Sequence, residues 1–166
     1  MTYRACVITL SDKGFAGQRE DRSGPAIAER LTAAGYELVE TLLLSDDQAG
    51  LERELRRLCD TVRPDLILTT GGTGLSPRDN APEATLAVAD RLVPGIAEAI
   101  RAYSLRITPR AMLSRGTSVL RGRTLIVNLP GSVKAVTESL DCFLDVLPHG
   151  LDVLRGTSGD CGGTPT

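Results

Sequence analysis

The segment DLILTTGGTG, residues 65–74, decides the fold class of this 166-residue chain. Its first six residues contain the apolar run Leu66-Ile67-Leu68 and two β-branched threonines between turn residues, which is typical of a strand buried on both faces. The glycine-rich turn follows the strand without a spacer, and ligands of open parallel sheets bind at such strand ends. We therefore predict a buried parallel strand that opens directly into a turn.

The segments on either side of this strand alternate between strand and helix patterns. The preceding runs predict strand, helix, strand and helix over residues 4–10, 24–34, 36–44 and 49–62. The following runs predict helix, helix, strand and a long helical stripe kinked at Pro148, over residues 82–90, 95–105, 124–128 and 133–154. This order predicts an α/β fold: a single domain, residues 1–155, with a mostly parallel sheet sandwiched between helices. Residues 156–166, rich in Gly, Thr and Ser, are predicted to form a flexible tail.

The composition argues against several classes of partner. The net charge is −2 and only 3% of the residues are aromatic, so no nucleic-acid partner is predicted. The apolar run at residues 5–10 is too short for a membrane span or a secretion signal, so no membrane partner is predicted either. Four Cys without CxxC spacing and a single His, His149, argue against a zinc site. They favour a reducing compartment, and we predict a cytoplasmic location.

Polar or glycine-rich turns follow three of the predicted strands. These turns are Ser11-Asp12, the run Gly71-Gly72-Thr73-Gly74, and Asn128 with Pro130-Gly131-Ser132. Because the carboxyl ends of parallel strands share one edge of a sheet, we expect the three turns to converge. The glycine run can present successive N–H groups and the Thr73 hydroxyl to phosphate oxygens, although a plain tight turn fits it equally well. It matches neither the P-loop nor the dinucleotide-binding fingerprint.

Acidic residues stand beside two of these loops. Two prolines fix the segment SPRDNAPE, residues 76–83, and would hold Arg78 and Asp79 in place. Asp46 and Asp47 follow the second strand, where a helix-capping role is the simpler local interpretation. Because Mg²⁺ needs only one or two carboxylates plus substrate phosphates, Asp46 and Asp79 are candidate ligands.

Two predicted helices begin with features that suit an anion. Ser132 opens the last long helix, and Lys134, one of only two lysines in the chain, would add positive charge there. Ser23 and Gly24 open the first long helix in a similar way. Helix capping by Ser132 explains the same residues without a ligand, and that alternative stays open.

Eight segments of the sequence, in this order, resemble the molybdopterin adenylyltransferase family of molybdenum-cofactor biosynthesis. They are Ser11-Asp12, Asp21-Arg22-Ser23-Gly24-Pro25, Thr70-Gly71-Gly72-Thr73-Gly74, Pro77-Arg78-Asp79, Ala81-Pro82-Glu83-Ala84, Pro94-Gly95, Ala111-Met112-Leu113-Ser114-Arg115 and Asn128-Leu129-Pro130-Gly131. The resemblance runs over residues 2–154. It implies a molybdopterin-binding-domain-like fold and a homotrimer.

The resemblance also implies a reaction. Mg-ATP and molybdopterin would give adenylylated molybdopterin and pyrophosphate, which makes Mg²⁺ the expected cofactor and ATP the co-substrate. The attacking group would be the terminal phosphate of the pterin, so no Ser–His or Cys–His pair is needed, and the sequence shows none. A molybdenum-insertion enzyme is the expected recipient of the product.

The resemblance assigns residues by motif. Asp79 corresponds to the essential carboxylate and Asp46 to the acidic residue after the second strand, so both are expected to be catalytic and to bind Mg²⁺. The expected substrate-binding residues are Ser11, Asp12, Ser23, Gly24, Gly71, Gly72, Thr73, Gly74, Arg78, Ser114, Asn128, Pro130, Gly131, Ser132 and Lys134. Ala81 departs from the pattern, because many relatives have Thr there.

Two other functions fit the same sequence features. A non-catalytic paralogue would bind molybdopterin, or serve as a trimeric scaffold, without pyrophosphate release. A different nucleotide-using α/β enzyme would bind ATP and have no affinity for molybdopterin. The sequence leaves open whether the pathway handles molybdenum or tungsten.

Overall fold

The computed structural model describes residues 2–157. A six-stranded sheet runs through the protein in the order β2-β1-β3-β6-β5-β4. Its strands are β1 Arg4–Leu10, β2 Glu37–Leu44, β3 Leu66–Thr70, β4 Arg91–Leu92, β5 Ser118–Arg121 and β6 Thr124–Leu129. Strands β2, β1, β3 and β6 are parallel, whereas at one edge β5 pairs antiparallel with β6 and β4 pairs antiparallel with β5. The mostly parallel α/β fold is therefore confirmed.

Seven α-helices cover the sheet in the described part of the chain. They are α1 Asp12–Phe15, α2 Ser23–Ala33, α3 Gln48–Arg57, α4 Ala81–Val88, α5 Pro94–Leu105, α6 Val133–Phe143 and α7 Leu147–Arg155. Helix α3 continues into a π-helical turn, Leu58–Val62, and a 3₁₀ segment, Pro109–Leu113, follows α5. Among the described helices, none is both long enough and apolar enough to cross a membrane.

The long C-terminal helical stripe is interrupted earlier than expected. A 3₁₀ turn, Leu144–Val146, separates α6 from α7, and Pro148 lies in the first turn of α7. The expected kink at Pro148 is therefore wrong in its position. Proline has no N–H, and its ring clashes with the carbonyl four residues earlier, which here is that of Leu144. The regular helix α6 therefore ends at Phe143, before the proline is reached. The predicted tail, residues 156–166, lies outside the described residues except for Gly156 and Thr157, and the division at residue 155 stays a prediction.

Alternate side chains of the central strands enter two separate hydrophobic clusters. Val7 and Leu68 pack with α2, α5, α6 and α7 on one face, whereas Ile8 and Ile67 pack with α3 and α4 on the other. All four side chains are buried. The strands therefore carry apolar side chains on both faces because both faces are covered, which is the reason they could be recognised in the sequence.

Two of the three described cysteines belong to this packing. Cys6, Cys59 and Cys142 are free thiols, and the first two are buried. Burial raises the pKa of Cys6 and of Cys59 to about 11. Both thiols therefore stay protonated at neutral pH and act as small core residues.

The central strand β3 supplies a direct test of this packing. We expect Leu68→Ala to lower the free energy of unfolding by about 2–5 kcal/mol, because it removes a fully buried side chain and leaves a cavity. Leu86→Ala is the matched control, since Leu86 is 47% exposed on α4, and its effect should be within about 0.5 kcal/mol. Urea unfolding of both variants gives the comparison. Equal losses would contradict the assignment of Leu68 to the core.

Candidate active site at the carboxyl edge of the sheet

The register of three strands brings the predicted loops together. Thr70 at the end of β3 lies opposite Thr9 of β1 and Leu129 of β6. The Gly71 N–H donates to the carbonyl of Leu129 at 3.2 Å, and the Thr70 hydroxyl donates to the carbonyl of Pro130 at 2.7 Å. The expected convergence of the three turns at one edge is confirmed.

A cleft with a volume of about 690 Å³ lies between these turns. Five of the residues predicted to bind substrate line it, namely Ser11, Ser23, Gly71, Gly131 and Ser132. Arg19 and Arg22 also line this cleft, and the sequence analysis gave them no role. Both arginines lie in the segment between α1 and α2, and their place between the first predicted strand and the first long helix was the available signal.

The first residue of the glycine run has a conformation that excludes other residues. Gly71 has φ +91°, and a Cβ atom there would lie 2.4 Å from the carbonyl oxygen of Leu10. The later residues Thr73 and Gly74 line a second cavity of about 260 Å³ together with Ser114 and Pro130. The run therefore borders both cavities.

The neighbouring carboxylates of Asp46 and Asp47 have different functions. Asp47 caps α3, because its carboxylate accepts from the N–H of Gly50 at 2.8 Å. Asp46 points toward the first loop and accepts from the N–H of Asp12 at 2.9 Å, while Asp12 accepts from the N–H of Asp46 at 2.9 Å. The capping alternative thus applies to Asp47, and Asp46 remains available at the sheet edge.

Arg78 connects the proline-bounded loop to the first loop. Its guanidinium donates to both carboxylate oxygens of Asp12, with distances of 2.7 and 2.9 Å. Hydrogen bonding from Arg78, followed by the bond from the Asp46 N–H, lowers the pKa of Asp12. The positive charge of Arg78 is therefore engaged by Asp12 in this structure.

Asp79 lies against the glycine run. Its carboxylate accepts from the N–H of Ser76 at 2.9 Å, and a Cβ atom on Gly74 would come within 2.8 Å of that carboxylate. Neither Asp79 nor Asn80 caps α4 with its side chain. The reason is that both side chains turn back into the loop, where the Asn80 amide donates to the carbonyl of Pro77 at 3.3 Å.

The pKa of the Asp46 carboxyl is raised above its usual value. Burial raises its pKa most, and the negative charges of Asp12 and Asp79 raise it further. Within residues 2–157 no group of three or more His, Cys, Asp or Glu side chains is arranged to hold a metal ion. Two carboxylates near the glycine-rich turn nevertheless match the donor set of Mg²⁺, which water and substrate phosphates would complete.

Several predicted binding residues have contacts within the protein. Asn128 is buried, its amide donates at 2.9 Å to the hydroxyls of both Thr69 and Thr85, and its oxygen accepts from the N–H of Thr117. It holds β6 against β3 and α4 from inside the core. Lys134 is 80% exposed, with its ammonium 3.8 Å from the Glu138 carboxylate.

The serines at the same edge have local partners. The hydroxyl of Ser11 accepts from the N–H of Gly14, and that of Ser132 accepts from the N–H of Ala135, so both residues cap helices. Ser23 donates to Asp21 at 3.4 Å, and Ser114 accepts from the N–H of Gly116 at 3.3 Å. The capping role considered for Ser132 is thus confirmed, and Ser132 still lines the cleft.

A cavity of about 790 Å³ lies at the opposite edge of the sheet, where the strands begin. Its arginines bind carbonyl groups near helix ends. Arg4 donates to the carbonyl of Val62 at 2.9 Å, and Arg123 donates to that of Arg155 at 2.6 Å. These contacts satisfy carbonyls that a helix leaves unpaired at its C-terminus, so a structural role accounts for this cluster.

The fold and this site together define a class: an α/β domain with a cleft at the carboxyl edge of its sheet, bordered by a glycine-rich turn, and with two carboxylates near the same edge. Comparison with known proteins is more specific. The family model described as "Probable molybdopterin binding domain" matches residues 6–149. The chain belongs to this family, as its resemblance to the molybdopterin adenylyltransferases implies.

Individual relatives support the same family assignment. The chain is 44% identical to the molybdopterin adenylyltransferase of Escherichia coli K12, over 90% of this chain and 80% of that protein. It is 38% identical to the molybdopterin adenylyltransferase of Helicobacter pylori 26695, over 93% and 89%. The crystal structure of the molybdopterin biosynthesis enzyme MoaB from Thermus thermophilus superposes with a TM-score of 0.88 at 49% identity, covering 93% of this chain and 98% of that one. The predicted family and enzyme class are confirmed.

Replacing Asp46 or Asp12 by Asn should change the free energy of unfolding at pH 7 in opposite directions. Because the folded-state pKa of Asp46 is raised, its ionisation destabilises the fold as pH rises above the unfolded-state pKa of about 4. Asp46→Asn should therefore be as stable as the wild type, or more stable, at pH 7, and should lose this advantage below about pH 4. Urea unfolding in EDTA measures the effect without bound divalent cations.

Asp12 provides the matched comparison. Its folded-state pKa is lowered, so its ionised form stabilises the fold above its unfolded-state pKa, and that contribution is lost as pH falls through the folded-state pKa. Asp12→Asn should consequently be less stable than the wild type at pH 7. If Asp46→Asn destabilises the protein as much as Asp12→Asn at that pH, the assigned electrostatics of Asp46 are wrong.

Proposed function

We propose that this protein transfers the adenylyl group of Mg-ATP to the terminal phosphate of molybdopterin, releasing pyrophosphate. The single observation that supports this proposal most strongly is the position of the Asp79 carboxylate beside Gly74, with the Asp46 carboxylate close enough to respond to its charge. Two carboxylates next to a glycine-rich turn suit a metal–polyphosphate complex. The names of the relatives support the same reaction.

The chemistry requires little covalent participation by the protein. The phosphate of molybdopterin attacks the α-phosphorus of ATP, a new P–O–P linkage forms, and the bond to the β-phosphate breaks as pyrophosphate leaves. The nucleophile is already an anion, so no side chain has to remove a proton from it. Catalysis then depends on orienting two phosphorylated reactants and offsetting their negative charge.

The residues of the site supply these requirements. Asp46 and Asp79 would hold Mg²⁺, and the bound ion would offset charge on the phosphates of ATP. Backbone N–H groups of the glycine run would bind phosphate oxygens, and Arg19 in the main cleft would add positive charge. The cleft of about 690 Å³ lies within the usual size range of small-ligand pockets, about 300–1,000 Å³.

We further propose that the enzyme is a cytoplasmic homotrimer that passes its product to a molybdenum-insertion enzyme. Large apolar side chains between α5 and β5 support self-association, because Ile107, Met112 and Leu113 are 44–64% exposed. Analytical ultracentrifugation tests the trimer: a monomer at micromolar concentration would contradict it.

Neutralising Asp79 should separate catalysis from folding. Asp79→Asn keeps an oxygen that can accept from the Ser76 N–H but removes the charge that would bind Mg²⁺. We expect pyrophosphate release with Mg-ATP and molybdopterin to fall by at least about 100-fold, with the melting temperature little changed. A coupled pyrophosphate assay and thermal unfolding measure the two quantities.

Asp47→Asn is the matched control for this experiment. Asp47 is adjacent to the site, and Asn is an equally good helix cap, so this variant should keep its activity within about twofold. Full activity in Asp79→Asn would refute the role of that carboxylate. Tight binding of molybdopterin by the wild type without Mg²⁺-dependent pyrophosphate release would instead identify the non-catalytic paralogue. Binding of ATP alone would point to a different nucleotide-using enzyme.

A methyl group at Gly74 should displace the same carboxylate. The φ of Gly74 is not positive, so alanine is tolerated by the backbone, but its Cβ would lie 2.8 Å from Asp79 Oδ2. We expect Gly74→Ala to fold and to lose at least about tenfold in turnover, because small displacements of a catalytic group are costly. Gly95→Ala is the control, since no atom lies within 4 Å of its added methyl. Similar activities of the two variants would show that the Asp79 position is not critical.

A further inference from the structure

Arg115 contacts the loop between β3 and α4 from the segment that precedes β5. We propose that Arg115 is a positioning residue that holds Asp79 in the geometry needed for the metal–nucleotide complex. This inference rests on the function proposed above. Arg115 stands in the family-like segment Ala111-Met112-Leu113-Ser114-Arg115, and it does not line either of the two cavities at this edge of the sheet.

The guanidinium of Arg115 joins both ends of the segment that carries Asp79. Its Nε donates to the carbonyl of Gly74 at 2.7 Å, and Nη2 donates to the carbonyl of Asp79 itself. The backbone N–H of Arg115 also donates to the carbonyl of Thr73 at 2.9 Å. One residue therefore fixes the end of the glycine run and the backbone of the carboxylate residue relative to each other.

A third group orients the guanidinium. Nη1 of Arg115 contacts the carboxylate of Glu83, and Nη2 lies 3.4 Å from the second oxygen of that carboxylate. Glu83 lies in the first turn of α4, so the same contact links the loop to the helix that follows it. Hydrogen bonding from Arg115 lowers the pKa of Glu83, which keeps that carboxylate ionised at neutral pH.

The planar guanidinium suits this arrangement better than any other cationic side chain. It carries five N–H donors in a fixed fork and can therefore serve three acceptors in different directions at once. A lysine ammonium is a compact, strongly hydrated charge. Lysine at position 115 could keep an ion pair with Glu83 but could not hold both loop carbonyls in the same geometry.

Asp79 is held both at its backbone carbonyl and at its side-chain carboxylate. Its carbonyl accepts from Arg115, while its carboxylate accepts from the Ser76 N–H and packs against Gly74. When the first of these contacts is lost, the residue can move as a whole together with its carboxylate. Misplacement of a reacting group by about 1 Å can reduce a rate about 100-fold, so a distant bond can matter for catalysis.

The test compares Arg115→Lys with Arg121→Lys in the full chain. Arg121 is a matched control, because it also binds a carboxylate, that of Asp60, and one carbonyl, that of Val88, but it is not part of the loop. We expect Arg115→Lys to lower kcat at least about tenfold and to raise the Mg²⁺ concentration for half-maximal rate at least about fivefold. The KM for molybdopterin should change less than about twofold, and Arg121→Lys should alter none of the three.

Hydrogen exchange gives a readout that does not require activity. Backbone amides of residues 71–80 should exchange faster in Arg115→Lys than in the wild type or in Arg121→Lys. If the wild type releases no pyrophosphate but this difference is present, the proposed reaction is wrong while the structural hold of Arg115 on the loop stands. If Arg115→Lys fails to fold, Glu83→Gln replaces it and should raise the Mg²⁺ requirement in the same direction.

One result overturns the inference. If Arg115→Lys has the Mg²⁺ dependence of the wild type and loses no more activity than Arg121→Lys, Arg115 contributes only to stability. Unchanged exchange of residues 71–80 in Arg115→Lys would lead to the same conclusion.

Discussion

The parallel pairing of β3 with β1 on one side and β6 on the other is the constraint on which the candidate site depends. Thr70 is in register with Thr9 and Leu129. Three chain segments that are far apart in sequence therefore leave the sheet at nearly the same level of its carboxyl edge. Alternate side chains of the same strands enter the two hydrophobic clusters. A one-residue slip would exchange those clusters and would also separate the loops, so folding and site assembly have the same structural cause.

The acidic residues at this edge differ in whether the protein supplies a positively charged group beside them. Asp12 has a guanidinium partner, and Asp47 has a helix N-terminus. Asp46 and Asp79 have no basic side-chain partner among the described residues, and the charge of Asp79 raises the pKa of Asp46. Two carboxylates at one edge of the sheet that lack an ion-pair partner form an arrangement that a divalent ion would stabilise. The structure thus separates acids that maintain the fold from acids that suit a metal–phosphate complex.

The sequence predicted the central strands because they are buried on both faces, and it predicted the convergence of the loops because parallel strands end at one edge. It did not reveal β4 and β5, since runs of two and four residues are too short to show a period. Asp46 and Asp47 could not be separated either, because the choice depends on backbone angles that place one of them over Gly50. Asn128 was predicted to line the cleft, but its side chain is buried and donates to Thr69 and Thr85. The sequence could not show this, because those two partners are distant from Asn128 along the chain.

The near-exclusive use of arginine as the basic residue has a practical consequence. All ion pairs between described residues except that of Lys134 involve arginine, whose planar group binds carboxylates and carbonyls together. The two lysines, Lys13 and Lys134, lie on α1 and α6, which begin where β1 and β6 end, and both are exposed. Apart from the α-amino group, an amine-directed fluorophore would therefore attach only at the end of the molecule that carries the cleft, and its emission would report events there without any engineered label.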